Sequence, residues 1–254
     1  MYVPLWTNIP NRRKQMQRLD KYLSEAGVES RRKIKDIIRA GRVCVNGAVV
    51  KNPEEKIDES TAVVTLDGKE MQRGSRTVVL MMNKPAGCVT AASDLKEKTV
   101  MEYLPKEYKR LMPIGRLDKE TEGLLLFTND GYLAHRLLSP KRGIEKTYYA
   151  EHEGTVTQED IAAFANGCIL KDGTKCLPAV LEKLGEGKCL VRVREGKYHQ
   201  VRRMMASLHK PVRYLRRISE GTLELKNLPV GMTRELTSEE IQQLESVNFD
   251  EKFF

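Results

Sequence analysis

Two patterns of apolar residues open the chain. In residues 19–26 and again in residues 34–38, apolar side chains recur three and four positions apart, which is the spacing of one helix face. Residues 43–49 then alternate around an Asn-Gly dipeptide, which is typical of a two-residue hairpin turn. A small helix–helix–hairpin module is therefore predicted over residues 16–67.

The rest of the chain interleaves continuous apolar runs, which predict buried strands, with capped periodic segments, which predict helices. The strands are predicted near residues 78–83, 124–127, 145–150, 179–181, 188–194, 213–218 and 221–223, and the helices near residues 133–138, 158–164, 201–208 and 238–244. Residues 68–76 are polar, contain two glycines and are predicted to form a linker to a larger domain over residues 77–254. Residues 1–15 show no period and are predicted to be a disordered extension.

Charge changes this picture by indicating a class of partner. The 254 residues include 44 Lys and Arg against 35 Asp and Glu, a net charge of +9 that favours an anionic partner such as nucleic acid or a membrane surface. No helical pattern combines a large apolar face opposite Lys and Arg with exposed aromatic residues, which disfavours the membrane surface. No run of 18 apolar residues predicts a membrane span, and the N-terminus lacks the pattern of a signal peptide. The protein is therefore expected in the cytoplasm.

The cysteines and histidines give no metal pattern. The five cysteines have no paired spacing, so we interpret them as reduced thiols, and the four histidines are scattered. Neither a metal ion nor a cofactor is expected.

The small module concentrates positive charge. Residues 12–42 contain eleven Lys or Arg and four acids. The cations on the polar faces of its predicted elements are Arg31, Arg32, Lys33, Lys35, Arg39 and Arg42. A solvated surface is one interpretation, but such clustering on one short module favours contact with a phosphate backbone.

Asp118 is the candidate catalytic carboxylate. It lies in a turn just before residues 124–127, an uninterrupted apolar run that predicts a strand buried on both faces. A buried strand would hold the turn in place, as a catalytic group requires. The alternative is that Asp118 only accepts hydrogen bonds from nearby backbone N–H groups, a common role of Asp in turns.

Two later segments could complete a site. Tyr148 and Tyr149 are adjacent in a predicted strand, so one can line a site while the other packs in the core. An aromatic ring beside a nucleobase would contribute about 1–3 kcal/mol of stacking, although core packing is an equally ordinary role for Tyr. Residues 197–217 contain seven Lys or Arg and no acid, which predicts an anion-attracting surface.

Three segments together resemble the motifs of the pseudouridine synthases. Residues 115–131 contain Gly-Arg-Leu-Asp, Thr-Glu-Gly-Leu-Leu-Leu and Thr-Asn-Asp-Gly, which are similar to the family's aspartate motif. Residues 146–148 match its Lys-x-Tyr motif, and residues 196–204, Gly-Lys-Tyr-His-Gln-Val-Arg-Arg-Met, match its third. Residues 18–47, which begin Arg-Leu-Asp-Lys-Tyr-Leu, resemble the S4 RNA-binding domain.

The resemblance implies an α+β fold with a mixed, mostly antiparallel central sheet flanked by helices. An active cleft would cross the middle of that sheet, and a small S4-like α/β module would lie at the N-terminus. The implied activity is isomerisation of uridine to pseudouridine in RNA. The implied catalytic residues are Asp118, Tyr148 and Arg202, with Arg202 as the ion-pair partner of the aspartate. Arg116 would fill the space left by the flipped uridine, and further substrate or RNA contacts are predicted at Lys146, Lys197, His199, Gln200 and Arg203.

Residues 134–140 and the Tyr-His-Gln of the third motif resemble the small-subunit branch of the family. The predicted partner is therefore 16S ribosomal RNA or an assembly intermediate, bound by a monomer. Two alternatives stay open: an enzyme that acts on large-subunit 23S rRNA or on tRNA, and a catalytically silent assembly factor. A single carboxylate is compatible with both a general-base and a nucleophilic route.

Overall fold

A computed structural model describes residues 16–26, 28–29, 31–58, 61–71, 77–139 and 142–246. The predicted extension over residues 1–15 lies outside these ranges, as does the side chain of Arg31. The chain separates into two compact units, Met1–Arg76 and Thr77–Phe254. Within the described ranges, no helix has the length and apolar character needed to cross a bilayer.

The described residues of the small unit form two helices and six short strands. In chain order these are β1 Met16–Arg18, α1 Leu19–Glu25, α2 Arg31–Arg39, β2 Val43–Val45, β3 Ala48–Val50, β4 Lys56–Asp58, β5 Val64–Leu66 and β6 Lys69–Glu70. The strands form one antiparallel pair, β1-β4, and one four-stranded sheet in the order β3-β2-β5-β6. The apolar helix faces predicted from the sequence meet in one core, where Leu19, Leu23, Ile34 and Ile38 are fully buried.

The predicted linker begins too early. Lys69 and Glu70 pair with β5, and the Tyr22 hydroxyl donates a hydrogen bond to the Met71 carbonyl oxygen at 2.9 Å. The chain reverses direction after β5 and pairs with it again as β6, because Asp67 and Gly68 both adopt positive φ, the geometry of a tight hairpin turn. The small unit therefore continues to residue 71, and residues 72–76 of the predicted linker lie outside the described ranges.

The large unit contains nine described strands and four described α-helices. In chain order these are β7 Val79–Lys84, β8 Met112–Ile114, β9 Glu122–Thr128, α3 Gly131–Leu138, β10 Lys146–His152, α4 Gln158–Ala165, β11 Val180–Gly185, β12 Lys188–Val193, α5 Gln200–Ser207, β13 Val212–Glu220, β14 Leu223–Glu224, β15 Thr233–Glu235 and α6 Ser238–Ser246. Two 3₁₀ helices, Val100–Tyr103 and Lys106–Tyr108, lie between β7 and β8.

One nine-stranded sheet organises the large unit. Its main order is β11-β12-β10-β13-β9-β7-β15, with β14 beside β13 and β8 beside β9. Within this sheet the pairing of β9 with β13 is parallel, and every other described pairing between its strands is antiparallel. The predicted α+β fold with a mixed, mostly antiparallel sheet is confirmed.

The parallel pairing brings two strands unusually close. Glu122 pairs with Arg216 and Gly123 with Arg217. A Cβ atom on Gly123 would lie 2.1 Å from the Arg217 carbonyl oxygen, and Gly123 has φ +109°. Only glycine fits both constraints. This junction is the middle of the sheet, and the turn that carries Asp118 enters it directly.

The sequence missed β8 and β15. The first is a Met-Pro-Ile tripeptide held by β9, and the second is a polar Thr-Arg-Glu segment that adds to the edge of the sheet through β7. Neither has a side-chain pattern of its own, because backbone hydrogen bonds to an existing strand create both of them.

Candidate active site

A cleft of about 900 Å³ opens over the middle of the large sheet. Its wall is formed by the β8–β9 turn, the end of α3, the start of β10, the segment from β12 into α5, and the cleft-facing side of β13. It therefore collects the three predicted motifs around one space. Of the predicted catalytic residues, Asp118 and Tyr148 line it.

Asp118 sits in the turn between β8 and β9 with about one third of its side chain exposed. Its carboxylate accepts no hydrogen bond from the described residues, and the imidazole of His199 lies close to it, with Nε2 3.6 Å from Oδ1. Other turn aspartates in this chain behave differently. Asp94 accepts hydrogen bonds from the backbone N–H groups of Lys96 and Glu97, and Asp130 accepts one from Leu133. The turn-capping alternative for Asp118 is therefore wrong, and its carboxylate is available to a ligand.

A buried lysine fixes the backbone around Asp118. Lys84 is fully buried at the end of β7, and its ammonium donates hydrogen bonds to the carbonyl oxygens of Pro85, Lys119 and Thr121 at 2.8, 3.2 and 2.9 Å. Burial lowers the pKa of Lys84, and nearby acids partly offset this effect. A lysine at the end of a strand is usually solvated. The Lys84 ammonium is instead hydrogen-bonded to three carbonyl oxygens, two of which, those of Lys119 and Thr121, belong to the turn that carries Asp118.

Arg202 is not the ion-pair partner of Asp118. Its guanidinium donates hydrogen bonds to the carbonyl oxygens of Val212 and Glu120, both at 3.2 Å, and it does not line the cleft. Val201, Met204 and Met205 point into the core from α5. Arg202 lies at the edge of that buried helix face, so its side chain runs along the neighbouring backbone. Arg202 thus braces the Asp118 turn through Glu120 rather than neutralising the carboxylate. The predicted ion pair is wrong in this structure.

The buried guanidinium in the cleft belongs to Arg217. Only 2% of its side chain is exposed, and its Nε donates a 2.7 Å hydrogen bond to the Leu124 carbonyl oxygen of β9. Its Nη2 lies 3.3 Å from Glu220 Oε2, yet neither atom makes an aligned hydrogen bond to any described residue. Lys146 Nζ lies 3.8 Å from the other oxygen of Glu220.

A β-bulge brings these charges to one face. Lys146 pairs with Glu220 and Tyr148 with Arg217, but the register shifts between them, so that β13 has one extra residue, Ile218. Without the extra residue, positions 217 and 220 would point to opposite faces of the sheet. With it, Lys146, Tyr148, Arg217 and Glu220 all line the cleft.

The ionisable groups of this cluster respond to burial in different ways. Burial raises the pKa of Tyr148, and the charge of Arg217 opposes that rise. Burial lowers the pKa of Lys146, with Glu220 acting in the opposite direction. Burial also disfavours the charge on Arg217, but Glu220 and Tyr148 outweigh it, and the pKa of Arg217 is raised. Tyr148 is therefore a neutral phenol beside a permanent cation.

The remaining predicted contacts divide into two groups. Arg116 is exposed at the cleft and has no ion-pair partner among the described residues, so its guanidinium is available to a ligand. Lys197 lines the cleft and pairs with Glu195, while His199 stacks on the exposed ring of Tyr198 with 3.8 Å between ring centroids.

Gln200 and Arg203 have structural partners instead. Gln200 is buried: its amide donates a 2.7 Å hydrogen bond to Glu195 and accepts one from the Lys197 backbone N–H. Arg203 pairs with Asp172 and does not line the cleft. Both side chains hold the segment that leads into α5. Gln200 also lines the cleft, but both ends of its amide already have hydrogen-bond partners.

The cations of the small unit also differ from one another. Lys33, Arg39 and Arg42 pair with Glu29, Asp36 and Asp67. Arg32 is exposed and Lys35 half-exposed, and neither has an acidic partner within the described ranges. These two are the cations most available to a phosphate.

The sequence analysis missed Lys84, Tyr198, Arg217 and Glu220 as cleft or support residues. Alternation along β13 places Leu215 and Arg217 on one face, which was a usable signal for the arginine. The bulge that adds Glu220 leaves no such signal. Among the described residues, no three or more His, Cys, Asp or Glu side chains form a group that could hold a metal ion.

Comparison with known proteins bears on both units. The family model for RNA pseudouridylate synthase matches residues 78–207, and the S4 domain model matches residues 17–63. The Bacillus subtilis protein named uncharacterized RNA pseudouridine synthase YtzG is 41% identical over 89% of this chain and 98% of its own length. Ribosomal large subunit pseudouridine synthase B of the same organism is 37% identical over 91% and 97%. A crystal structure of a pseudouridylate synthase, 34% identical, superposes with a TM-score of 0.66 over 89% of this chain and 99% of that one.

Proposed function

This chain belongs to the RNA pseudouridylate synthase family, and from that membership we propose that it isomerises a specific uridine of ribosomal RNA with Asp118 as the catalytic group. The observation that carries the proposal is the state of the Asp118 carboxylate. It is held by a braced turn at the wall of the cleft, and no described residue donates a hydrogen bond to it. A carboxylate left free in a cleft is the arrangement that covalent or base chemistry at a sugar carbon requires.

The reaction requires few catalytic groups. The N1–C1′ bond of uridine breaks, the base turns, and a C5–C1′ bond forms; one proton leaves C5 and one binds N1. No electron is gained or lost overall. Asp118 serves this sequence either by attacking the nucleoside or by removing a proton from the sugar, and both routes need the ionised carboxylate.

The other side chains bind and orient. Arg217 keeps a positive charge in the cleft, which favours any negative charge that develops on the detached uracil. Tyr148 offers an aromatic surface for the base. The uridine must leave its stack, at a cost of a few kcal/mol, and Arg116 is placed to occupy the vacated space.

Two ribosomal substrates are candidates. The resemblance of residues 134–140 to the small-subunit branch supports 16S rRNA, and we put that substrate first. The similarity to a Bacillus protein named for the large ribosomal subunit supports 23S rRNA as the second. A catalytically silent assembly factor is disfavoured, because such a protein has no need to keep the Asp118 carboxylate free of hydrogen bonds from the described residues at the wall of a cleft.

Mapping pseudouridines in RNA tests the proposal. Unmodified small- and large-subunit rRNA transcripts are incubated separately with the protein, treated with a carbodiimide that blocks primer extension at pseudouridine, and compared with untreated RNA. We expect one new pseudouridine, in the small-subunit transcript. A stop only in the large-subunit transcript would select the second candidate. The same assay is applied to assembly intermediates that are isolated from cells lacking the protein and then incubated with it. If neither the transcripts nor these intermediates gained a stop, ribosomal RNA would be refuted as the substrate.

The small unit is the proposed docking element for that RNA. We expect the double substitution Arg32→Ala and Lys35→Ala to weaken rRNA binding and to reduce the slope of log affinity against log salt by about 2, because two phosphate contacts are lost. Filter binding at four salt concentrations measures the slope. The matched control is Lys33→Ala with Arg39→Ala, which removes the same charge from cations that already have acidic partners. Equal losses in the two double variants would show that net charge, not these two side chains, determines docking.

A further inference from the structure

The cleft contains a carboxylate that the proposed chemistry does not use. We propose that Glu220, together with Arg217, recognises the hydrogen-bonding edge of the target uracil and so determines base specificity. This inference rests on the proposed function and extends it from the reacting sugar to the base. It gives the bulged end of β13 a role that neither the third motif nor Asp118 supplies.

Two buried polar atoms without hydrogen bonds carry the inference. Arg217 is 2% exposed and Glu220 is 4% exposed, both line the cleft, and neither Arg217 Nη2 nor Glu220 Oε2 has an aligned hydrogen bond among the described residues. They lie 3.3 Å apart, one a donor and the other an acceptor. Buried polar atoms are almost always hydrogen-bonded, so an ion-paired donor and acceptor that lack aligned hydrogen bonds in a cleft indicate that a ligand completes them.

Uracil presents the complementary pattern. Its N3–H is a donor flanked by the acceptors O2 and O4, so N3–H can donate to the Glu220 carboxylate while an adjacent carbonyl oxygen accepts from the Arg217 guanidinium. Cytosine presents a bare N3 acceptor at the same place, and a carboxylate repels it. The arrangement therefore favours uracil over cytosine through a charge-assisted hydrogen bond and through an unpaired acceptor in the wrong complex.

The same pair suits the rotation that isomerisation demands. Exchanging N1 for C5 as the atom bonded to the sugar amounts to turning the ring about its N3–C6 axis, which also exchanges O2 with O4. N3–H lies on that axis and keeps its position. An acceptor at N3 and a donor beside it thus make equivalent hydrogen bonds before and after the turn, so they can retain the detached base without favouring one orientation.

The competing explanation is that Glu220 is only a counter-ion. Its second oxygen lies 3.8 Å from Lys146, so it neutralises part of a cluster with two cations. A counter-ion contributes to stability but is indifferent to which base enters the cleft. Base discrimination therefore separates the two roles.

The test compares nucleotide probes on the parent protein and on Glu220→Gln. Competition by UMP, CMP and 3-methyl-UMP is followed by ligand-observed NMR, and Glu220→Gln is chosen because it preserves shape. We expect the parent to prefer UMP to both other nucleotides by about tenfold or more, and Glu220→Gln to lose most of that preference, because a charged acceptor becomes a neutral one. Its rate of pseudouridine formation should fall by about tenfold for the same reason.

Asp160→Asn is the control, since Asp160 is a buried acid that pairs with Lys210 at 2.7 Å outside the cleft. It should lower stability without changing nucleotide preference. A parent protein that binds the three nucleotides equally overturns the inference without the need for any variant, as does an unchanged preference in folded Glu220→Gln. A clear UMP preference without pseudouridine formation in any RNA would instead refute the proposed function and leave base recognition intact.

Discussion

Asp118→Asn should abolish pseudouridine formation, lowering the single-turnover rate on the mapped rRNA transcript on the order of 10⁴-fold or more. Asparagine keeps the size and shape of the side chain but can neither attack carbon nor accept a proton at neutral pH. The carboxylate makes no hydrogen bond to a described residue, so its replacement leaves the turn and its bracing by Lys84 intact. Affinity for the RNA should stay within about threefold, or ~0.7 kcal/mol, of the parent.

The control for this substitution is Asp94→Asn. Asp94 is also a turn aspartate of the large unit, but its carboxylate accepts two backbone hydrogen bonds. It should lose a little stability and no activity. If the Asp118 variant retained even a hundredth of the parent rate, the chemical role assigned to this carboxylate would have to be abandoned.

Gly123→Ala should destabilise the large unit by about 2–6 kcal/mol, the sum of a strained backbone conformation and an overpacked contact. The new Cβ would lie 2.1 Å from the carbonyl oxygen and 2.7 Å from the nitrogen of Arg217. Neither backbone atom can move away without separating β9 from β13. Urea denaturation followed by circular dichroism measures the change, and insoluble expression would be its extreme form.

Gly173→Ala isolates the backbone part of that effect. Gly173 has φ +82°, but nothing lies within 4 Å of an added Cβ, so only the conformational strain of about 1–2 kcal/mol remains. If the two alanine variants were equally stable, the close approach of the strands would not be what requires glycine at position 123.

The apolar pattern predicted most of the fold because each buried element has its own signal. The helix faces of the small unit and the runs that became β7 and β9 carry enough apolar side chains to determine their positions without help from distant residues. Elements that exist only because a neighbour pairs with them, such as β8 and β15, had no such signal. The same reason explains the misplaced linker, where an Asp-Gly turn returned the chain to β5.

The candidate site was predicted less completely. Asp118 and Tyr148 both line the cleft. The first lies just before β9 and the second lies within β10, and burial determines the orientation of both strands. The predicted ion pair between Arg202 and Asp118 was wrong, because the position of a long side chain on a helix does not reveal whether it reaches a carboxylate or a nearby backbone carbonyl oxygen. Glu220 could not be found at all, because a one-residue bulge reverses the alternation on which its prediction would rest.

The parallel contact between β9 and β13 also bears on how the chain becomes active. It joins segments separated by most of the large unit, and closing so long a loop loses chain entropy before any contact offsets that loss. Asp118 precedes one of these strands and Arg217 belongs to the other, so the working cleft forms only when this slow, non-local step is complete. The longest described pairing of the small unit, Met16 with Asp58, closes a shorter loop, so we expect this unit to form sooner and the proposed docking element to be in place before the cleft.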